Sequence, residues 1–240
     1  MCGQFSENQL LHRKSCCDII GYLIFKGRLA MFIKSVRPAG GFASNCYLLV
    51  SGKEAVLVDP SEPVENVREA LLDSGADLKE IWLTHGHFDH ILHLRDVKKV
   101  FGVIAKIHVS EVDFPQDGMK NAYALLMGSD ISFGEIDGTF SDQDMLNVGD
   151  ETVRVIHTPG HTQGSCVFET SAGLITGDTL FSMGHGRTDL YSGDDEQMLQ
   201  SLMKLQKMSG RLRIYPGHGG GSTLSAALWD CGLTGRNEIL

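Results

Sequence analysis

Positive charge is scarce in this sequence. Its 240 residues contain 21 Lys and Arg against 30 Asp and Glu, which gives a net charge of −9 with histidine neutral. No cluster of Lys and Arg interrupts this acidic excess. Because nucleic acids are bound largely through phosphate contacts to basic side chains, the composition argues against a nucleic-acid partner. We expect a small-molecule substrate instead, and the sequence leaves the oligomeric state open.

Long apolar runs and paired cysteines are also missing. Residues 19–25 are apolar, but a membrane-spanning helix needs about 20 such residues, and Asp18 in front of them is untypical of a signal peptide. The six cysteines are scattered and form no C-x-x-C pair, a pattern typical of free thiols in a reducing compartment. Cys46 and Cys166 lie in strand-like runs and are predicted to be core residues rather than nucleophiles. These absences favour a cytoplasmic protein without membrane contact.

The most informative segment is THGHFDH at residues 84–90, which follows a short apolar run. Imidazole nitrogens and carboxylate oxygens are the ligands that zinc, iron and manganese prefer. In an extended segment, residues two apart share a face, so His85 and His87 can reach one ion. Asp89 and His90 then point elsewhere, toward a second ion. The alternative is a surface loop that happens to be rich in histidine, but so dense a cluster among ten histidines favours a metal site.

Three later segments share one design, in which an apolar strand is followed by a small residue and then by a side chain that can bind metal. They are residues 152–161 with His161, residues 174–178 with Asp178, and residues 213–218 with His218. A Gly-Asp turn alone is common and would be weak. The repetition of the design after the first motif predicts that several strand ends contribute to one site.

The order of these motifs resembles that of the metallo-β-lactamase superfamily, and within it the glyoxalase II-like branch of hydroxyacylglutathione hydrolases. Residues 45–49, 55–60, 177–181, 186–189 and 215–219 add to the resemblance, which covers roughly residues 31–240. It implies an α/β fold, the four-layer αββα sandwich. It also implies a set of metal ligands. These are His85, His87 and His161 for a first ion, Asp89, His90 and His218 for a second, and Asp178 as the bridge between them.

Two divalent metal ions are therefore the expected cofactors, zinc in the first place and iron or manganese as alternatives. Secreted lactamases of the superfamily often carry cysteine at the position of Asp178, so the resemblance favours a site of hard ligands here. Two features depart from the glyoxalase II pattern. His93 stands where that branch usually has glycine, and only 22 residues follow His218, where those hydrolases carry an additional helical domain that binds glutathione. The hydrolytic core is therefore expected, but not glutathione recognition.

The expected chemistry is hydrolysis of an acyl substrate by a hydroxide that is bridged between the metal ions, because bound water then ionises near neutral pH. Asp89 is the expected catalytic residue and would orient this hydroxide. The sequence offers no dedicated general acid, which favours a thiolate leaving group and hence a thioester substrate. One alternative is an iron-dependent persulfide dioxygenase with iron at His85, His161 and Asp178. Others are a lactonase, a β-lactamase, a diiron flavoprotein-type redox site and a metal-binding scaffold.

The remaining sequence predicts one hydrolase domain at residues 31–240, preceded by an extension of unknown role at residues 1–30. Strands are predicted at residues 32–36, 46–50, 55–58 and 103–107, and helices at residues 64–74, 92–101, 121–127 and 196–208. Gly75 is the predicted residue that ends the first of these helices.

Several polar residues outside the ligand set have their own expected roles. Asp59 ends a strand and is predicted to hold a metal-binding histidine by a hydrogen bond rather than to cap a turn. His108 and His157 are predicted to be structural. For His93 the sequence leaves open whether it faces the site or solvent. His185 is predicted to be exposed, although contact with substrate is the alternative. Arg187 and Asp189 are expected to pair and pin their loop.

Overall fold

Two six-stranded sheets form the centre of the protein. The computed structural model describes residues 24–25, 28–37 and 43–233. Two short strands, β1 (Ile24–Phe25) and β2 (Arg28–Leu29), pair only with each other among these residues. The first sheet follows in chain order as β3 (Phe32–Ser35), β4 (Tyr47–Ser51), β5 (Glu54–Val58), β6 (Asp77–Trp82), β7 (Ile104–His108) and β8 (Gly138–Phe140). The second contains β9 (Met145–Val148), β10 (Glu151–His157), β11 (Cys166–Thr170), β12 (Gly173–Gly177), β13 (Arg213–Pro216) and β14 (Ser222–Thr223).

Five α-helices accompany the sheets in the described residues. They are α1 (Val64–Ser74), α2 (Leu94–Phe101), α3 (Tyr123–Met127), α4 (Asp195–Leu205) and α5 (Leu224–Asp230). Short 3₁₀ turns lie at Phe88–His90, Val109–Glu111 and Phe114–Gln116. Within the described part of the chain, no helix combines the length and the apolar character needed to cross a bilayer.

Three separate apolar cores define four layers. On β4, Leu48 packs with residues of α1 and α2, whereas the next residue, Leu49, packs with the second sheet, because successive strand residues point to opposite faces. On the far side of the second sheet, Leu174 of β12 packs with Leu202 of α4 and Leu228 of α5. The predicted αββα sandwich is therefore confirmed. Every residue of β4 is buried, as expected for a strand covered on both faces.

The helix boundaries follow local chemistry. Helix α1 occupies its predicted residues, and Gly75 takes a left-handed conformation with φ 66° and donates its N–H to Leu71 O and Leu72 O. Helix α2 begins at Leu94 rather than at residue 92, because the metal motif continues into a 3₁₀ turn and His93 precedes the first helical residue. The backbone N–H of His93 donates to Pro60 O, 2.9 Å away, which fixes the start of α2 against the end of β5.

The loops that carry the motifs meet at one edge of the sandwich. In the first sheet, β5, β6 and β7 are parallel, and in the second sheet β12 and β13 are parallel. Within each sheet, the carboxyl ends of these strands therefore lie at the same edge. Backbone hydrogen bonds then join the two sheets there. The Cys166 N–H donates to Thr84 O at 2.9 Å, and the Asn45 N–H donates to Gly217 O at 2.6 Å. These two hydrogen bonds fix the positions of the loops of one sheet relative to those of the other.

The predicted extension at residues 1–30 falls largely outside the described residues. Met31, where the family-like sequence begins, is buried between the sheets, and β3 starts at Phe32. We therefore expect a variant that lacks residues 1–30 to keep its fold, its metal content and its turnover. Circular dichroism, metal analysis and an activity assay would check this. Loss of folding would instead place the segment within the domain.

Candidate metal centre

The first motif changes backbone conformation in the middle. Strand β6 ends at Trp82, and His87 is still extended, with φ −68° and ψ 146°. Phe88–His90 then form a 3₁₀ turn. This change places Asp89 and His90 beside His85 and His87, with the rings of His85 and His90 4.1 Å apart, so that the motif contributes to more than one group of possible metal ligands.

Three buried imidazoles converge on one point. His85 Nε2 lies 3.2 Å from His87 Nδ1, and His87 Nδ1 lies 2.8 Å from His161 Nε2. Donors arranged tetrahedrally around zinc at about 2.0–2.1 Å lie roughly 3.3–3.4 Å apart. The observed spacing is therefore close to that of three nitrogens that share one ion. Together these three residues form a group that could hold a metal.

The protonation states of these three imidazoles suit the binding of a cation. Burial lowers the pKa of His85 and His87 well below the ordinary histidine value, and it lowers the pKa of His161 too, so all three are neutral at pH 7. A neutral imidazole has a single N–H. His161 Nδ1 lies 2.6 Å from Arg187 O, which fixes the N–H there and leaves a lone pair on Nε2. That lone pair points at the shared position.

A second group lies beside the first. His218 Nε2 is 3.1 Å from Asp89 Oδ2, and both side chains adjoin His90 in a cluster that could hold a metal. Asp178 stands between the groups. Its Oδ1 lies 3.2 Å from His90 Nε2, and its Oδ2 lies 3.5 Å from His161 Nε2 and 3.6 Å from His218 Nε2. One carboxylate thus faces both clusters.

Two buried polar atoms near the second group face each other without a hydrogen bond, and they indicate which ligand the group suits. His90 Nε2 and Asp178 Oδ1 face each other without hydrogen-bond geometry, and neither atom has another hydrogen-bond partner among the residues that the structure describes. Burial alone would lower the pKa of His90, but the carboxylates of Asp178, Asp59 and Asp89 outweigh it and raise that pKa well above its usual value. Such an environment attracts a cation. Because a divalent ion would supply the missing partner for both orphaned atoms, the residues present fit a metal.

The structure brings together all seven residues predicted as metal ligands. They are His85, His87, Asp89, His90, His161, Asp178 and His218. Close backbone packing helps to achieve this. Gly217 lies against Asp178 Oδ1 and His90 Cε1 so tightly that a Cβ atom at this position would collide with both. A residue larger than glycine would therefore displace the carboxylate that faces both groups.

Asp59 holds His90 as predicted. Its Oδ2 lies 2.8 Å from His90 Nδ1 and accepts the Thr84 hydroxyl at 2.7 Å, and its Oδ1 accepts the Thr84 N–H at 2.8 Å. The backbone of Asp59 is left-handed, with φ 54°, although the side chain is buried. Left-handed backbone is uncommon for residues other than glycine and concentrates at functional sites. This strained backbone places one carboxylate under both Thr84 and His90.

Glu111, which no sequence motif singled out, is a buried residue behind the loops that carry His87 and His161. Its Oε2 accepts the Gly86 N–H at 2.7 Å, and its Oε1 accepts the Gly164 N–H at 2.7 Å. Gly86 lies between His85 and His87, and Gly164 belongs to the loop after His161. The carboxylate therefore clamps loops from the two sheets. Burial raises its pKa to about 7, against the opposing hydrogen bonds of Thr162, Gly164 and Gly86.

We expect Glu111→Gln to destabilise the fold and weaken metal binding. Glutamine has one carbonyl oxygen, so one of the two backbone N–H groups would face the side-chain NH₂ and remain unpaired. A buried unpaired N–H costs about 1–3 kcal/mol. Denaturant unfolding and competition with a metal-binding dye would measure the two effects.

Glu169→Gln is the matched control, because Glu169 is a half-buried carboxylate on β11 that pairs with Arg154 on the neighbouring strand β10. It should cost no more than the roughly 0–1 kcal/mol of a surface ion pair. Equal unfolding and metal affinity in both variants would contradict the clamp.

Four other histidines of the described residues stay out of the centre. His108 and His157 stack at 4.1 Å with an angle of 8° between their planes, and His157 Nε2 lies 2.8 Å from Gln163 O, so both are structural as predicted. His93 precedes α2 and does not line the cleft over the metal loops. His185 is exposed, as predicted. The predicted pair of Arg187 and Asp189 is also present.

An open cleft of about 490 Å³ lies above the two groups. Its base contains five of the seven predicted ligands, namely His87, Asp89, His161, Asp178 and His218. Its volume lies within the roughly 300–1,000 Å³ of pockets that bind small molecules. A small substrate can therefore reach the clustered imidazoles and carboxylates from solvent.

The sequence is similar to one protein family and to several curated proteins. The model of the metallo-beta-lactamase superfamily matches residues 39–218. The uncharacterized protein ML0493 of Mycobacterium leprae is 34% identical over an alignment of 212 residues, and the match covers 79% of this chain and 92% of that protein. The probable metallo-hydrolase YqgX of Bacillus subtilis is 30% identical over 185 residues, 76% and 88% of the two chains. The probable polyketide biosynthesis zinc-dependent hydrolase PksB of the same species is 27% identical over 193 residues, 79% of each.

Solved structures show the same fold. The B3 metallo-beta-lactamase BLEG-1 superposes with a TM-score of 0.78 and 32% identity, covering 85% of this chain and all of that one. TTHA1623, solved in a di-iron-bound form, gives a TM-score of 0.69 and 29% identity over 79% and 94% of the chains. The family match spans most of the chain and includes every clustered residue. The chain belongs to the metallo-beta-lactamase superfamily.

Proposed function

We propose that this protein is a hydrolase with two divalent metal ions, and that its substrate is a thioester. The observation that carries the proposal is the convergence of seven ligand-type side chains, of which five line the base of one open cleft. His85, His87 and His161 would hold one ion, Asp89, His90 and His218 the other, and Asp178 would contact both. The ions would supply Lewis acidity and a water nucleophile at neutral pH.

The chain itself would position the reacting water and the acyl group. Asp89 lies at the base of the cleft with its side chain 19% exposed, so it can accept a hydrogen bond from a water molecule there. Its Oδ2 also contacts His218 Nε2 at 3.1 Å, which limits its rotation. Burial alone would raise its pKa, but His90 and His218 outweigh it and hold the carboxyl ionised near neutral pH. Asp89 is thus suited to orient water for attack on a carbonyl carbon.

The cleft favours a leaving group that needs no proton. Its described lining contains no Lys, Tyr, Ser, Thr or Cys, and Arg187 holds its proton too firmly to act as an acid. Attack of water on a thioester breaks the carbon–sulfur bond and gives a carboxylate, a thiol and one proton. Because a thiolate leaves without protonation whereas an alkoxide or amine does not, this lining supports a thioester.

Hydrolysis of a β-lactam is the second candidate. The observation in its favour is the likeness to BLEG-1, which covers that whole lactamase. Opening of the lactam expels an amine nitrogen, which needs a proton, and the cleft lining offers no dedicated donor. A lactam is therefore the weaker candidate on chemical grounds.

Metal analysis combined with a substrate panel tests the proposal. Protein purified without added metal should contain two ions per chain, lose thioesterase activity on treatment with a chelator, and regain it with zinc, iron or manganese. The panel should hold a neutral thioester, a cephalosporin and glutathione persulfide. A single iron with oxygen consumption on the persulfide would instead support a dioxygenase that uses His85, His161 and Asp178. Cephalosporin turnover far above thioester turnover would support the lactamase.

A further inference from the structure

Part of the cleft lining is apolar, and its residues are not among the predicted metal ligands. Six apolar residues line the cleft together with the predicted ligands: Ala43, Phe88, Ala122, Leu126, Phe181 and Leu190. Phe88 and Ala122 belong to the core between the first sheet and its helices, and Leu190 packs against that core. We define Phe88, Ala122, Leu126 and Leu190 as the apolar wall. Three of its residues are thus supported from behind by the core.

Helix α3 extends this wall into solvent. Leu125, Leu126 and Met127 are 57%, 52% and 50% exposed, so three of the five residues of α3 are large, apolar and exposed. Exposed apolar residues in contiguous patches mark sites of binding, whereas isolated ones are ordinary. Because Leu126 also lines the cleft, the exposed patch is continuous with the space above the metal groups.

The backbone is strained at Ala122, the residue before α3, and this conformation positions part of the apolar wall. Ala122 has φ 66°, a left-handed conformation that is unfavourable for alanine, and it is buried in the cleft wall. Neighbouring hydrogen bonds enforce it. The Phe88 N–H donates to Asn121 O at 2.9 Å, and Asn121 Nδ2 donates to Phe114 O at 3.1 Å. Strain retained beside a reactive site is the usual sign of a functional constraint.

The same cleft offers little to an anionic ligand. Apart from histidines, Arg187 is the only basic residue in its described lining, and its guanidinium already makes two bonds to Asp189 at 2.6 and 2.8 Å. Residues 38–42, which precede Ala43 in the chain, contain no Lys or Arg. A group rich in phosphates or carboxylates would therefore find no unpaired cation along this lining.

We propose that the acyl half of the substrate is a neutral hydrocarbon chain that packs along the apolar wall. This inference rests on the proposed thioesterase function. The carbonyl would lie over the metal groups, and the chain would run from Phe88 past Ala122 to Leu126. The exposed side chain of Leu126 would then lose solvent contact when substrate is bound, which accounts for an exposed apolar residue at the rim of a polar site.

A chain-length series tests this inference. The metal-loaded protein would be given acetyl, butyryl, hexanoyl and octanoyl thioesters of N-acetylcysteamine, in which only the acyl chain changes. Burial of each methylene should raise kcat/KM roughly three- to fourfold until the wall is filled. Leu126→Asp should lower the ratio of octanoyl to acetyl kcat/KM at least about tenfold. Leu199→Asp is the matched control, because Leu199 is similarly exposed, at 49%, but lies on α4 outside the cleft.

A binding measurement separates this inference from the function on which it rests. Calorimetric titration with butyrate, hexanoate and octanoate should give affinities that rise with chain length, and Leu126→Asp should flatten the rise. Length-dependent binding without thioester hydrolysis would support the wall and reject the thioesterase. Thioester hydrolysis with rates and affinities independent of chain length would keep the thioesterase and overturn the wall. A dimer in sedimentation that Leu126→Asp disperses would assign the patch to a second copy instead, and would also overturn the inference.

Discussion

Replacing Asp178 with asparagine should nearly abolish hydrolysis and remove at least one metal ion. Its two carboxylate oxygens face different groups, Oδ1 toward His90 and Oδ2 toward His161 and His218. Asparagine keeps the size but loses the charge, and its NH₂ would point hydrogen atoms at ring nitrogens that need lone pairs. Mutation of a residue that only hydrogen-bonds a metal ligand already lowers metal affinity or activity about 10–100-fold. Mutation of a residue that contacts both groups should therefore lower them further.

Metal content per chain and kcat/KM on a neutral thioester would measure the effect of Asp178→Asn. Asp73→Asn is the control, since Asp73 is a carboxylate with a side chain 62% exposed that pairs with Lys34 on the surface. The control should keep two ions and turn over within about twofold of the unaltered protein, as expected for an exposed ion pair. An Asp178→Asn protein with two ions and near-normal turnover would refute the proposed role of this residue.

The residues that cluster at the candidate site could be predicted, because His and Asp side chains identify themselves as possible metal ligands in the sequence. The segment from His85 to His90 contains four metal-binding side chains within six residues, and Asp178 and His218 each follow an apolar strand and a glycine. Parallel strands end at one edge of a sheet, so residues that follow strands of the same sheet are expected to meet there. The meeting of the two sheets at this edge depends on contacts between them, such as the Cys166 N–H donating to Thr84 O. The sequence also predicted that the first motif contributes to two groups of possible metal ligands. The structural cause of this division differs from the one expected. The extended chain reaches only to His87, and a 3₁₀ turn places Asp89 and His90.

Glu111 could not be predicted, because its partners are backbone groups. It lies three residues beyond the end of β7, and it accepts N–H groups from Gly86 and Gly164, which carry no side chains. A strand followed by a carboxylate was the available signal, and it matches the pattern that identified Asp178. The intervening 3₁₀ turn at Val109–Glu111 obscures that pattern, since a turn residue reads as solvent-exposed.

The shorter elements were beyond sequence patterns for another reason. Strand β8 has three residues and β14 has two, too few to show alternation, and their pairing depends on neighbours distant in sequence. Helix α3 illustrates the limit differently. Its apolar residues predict a helix near residues 121–127, but periodicity cannot show that Leu125, Leu126 and Met127 remain exposed. Exposure of such residues departs from local rules, as expected beside a binding site.

Asp59→Asn should produce the second large effect, a loss of the ion at Asp89, His90 and His218 with little change in fold. Asp59 Oδ2 accepts the proton of His90 Nδ1, so Nε2 is the nitrogen that would give up its proton and offer a lone pair to a metal ion. In asparagine, the oxygen can stay with the Thr84 N–H, and the NH₂ then faces His90 Nδ1. Two donors cannot pair, so His90 would move its proton to Nε2 and lose the lone pair that faces Asp178. A tautomer fixed wrongly in this way is far more damaging to activity than to structure.

The choice of asparagine separates this chemistry from backbone strain. Asparagine tolerates the left-handed conformation that Asp59 adopts at φ 54°, so the fold should survive. Asp59→Gly supplies the complementary case, because glycine relieves the strain but provides no acceptor for Thr84 or His90. We expect both variants to lose one ion and at least about 10–100-fold in activity, and NMR of the His90 ring nitrogens should show the proton on Nε2 in Asp59→Asn alone. If Asp59→Asn retained two ions while Asp59→Gly lost them, the carboxylate would serve only to shape the loop, and the control of the His90 tautomer by Asp59 would be wrong.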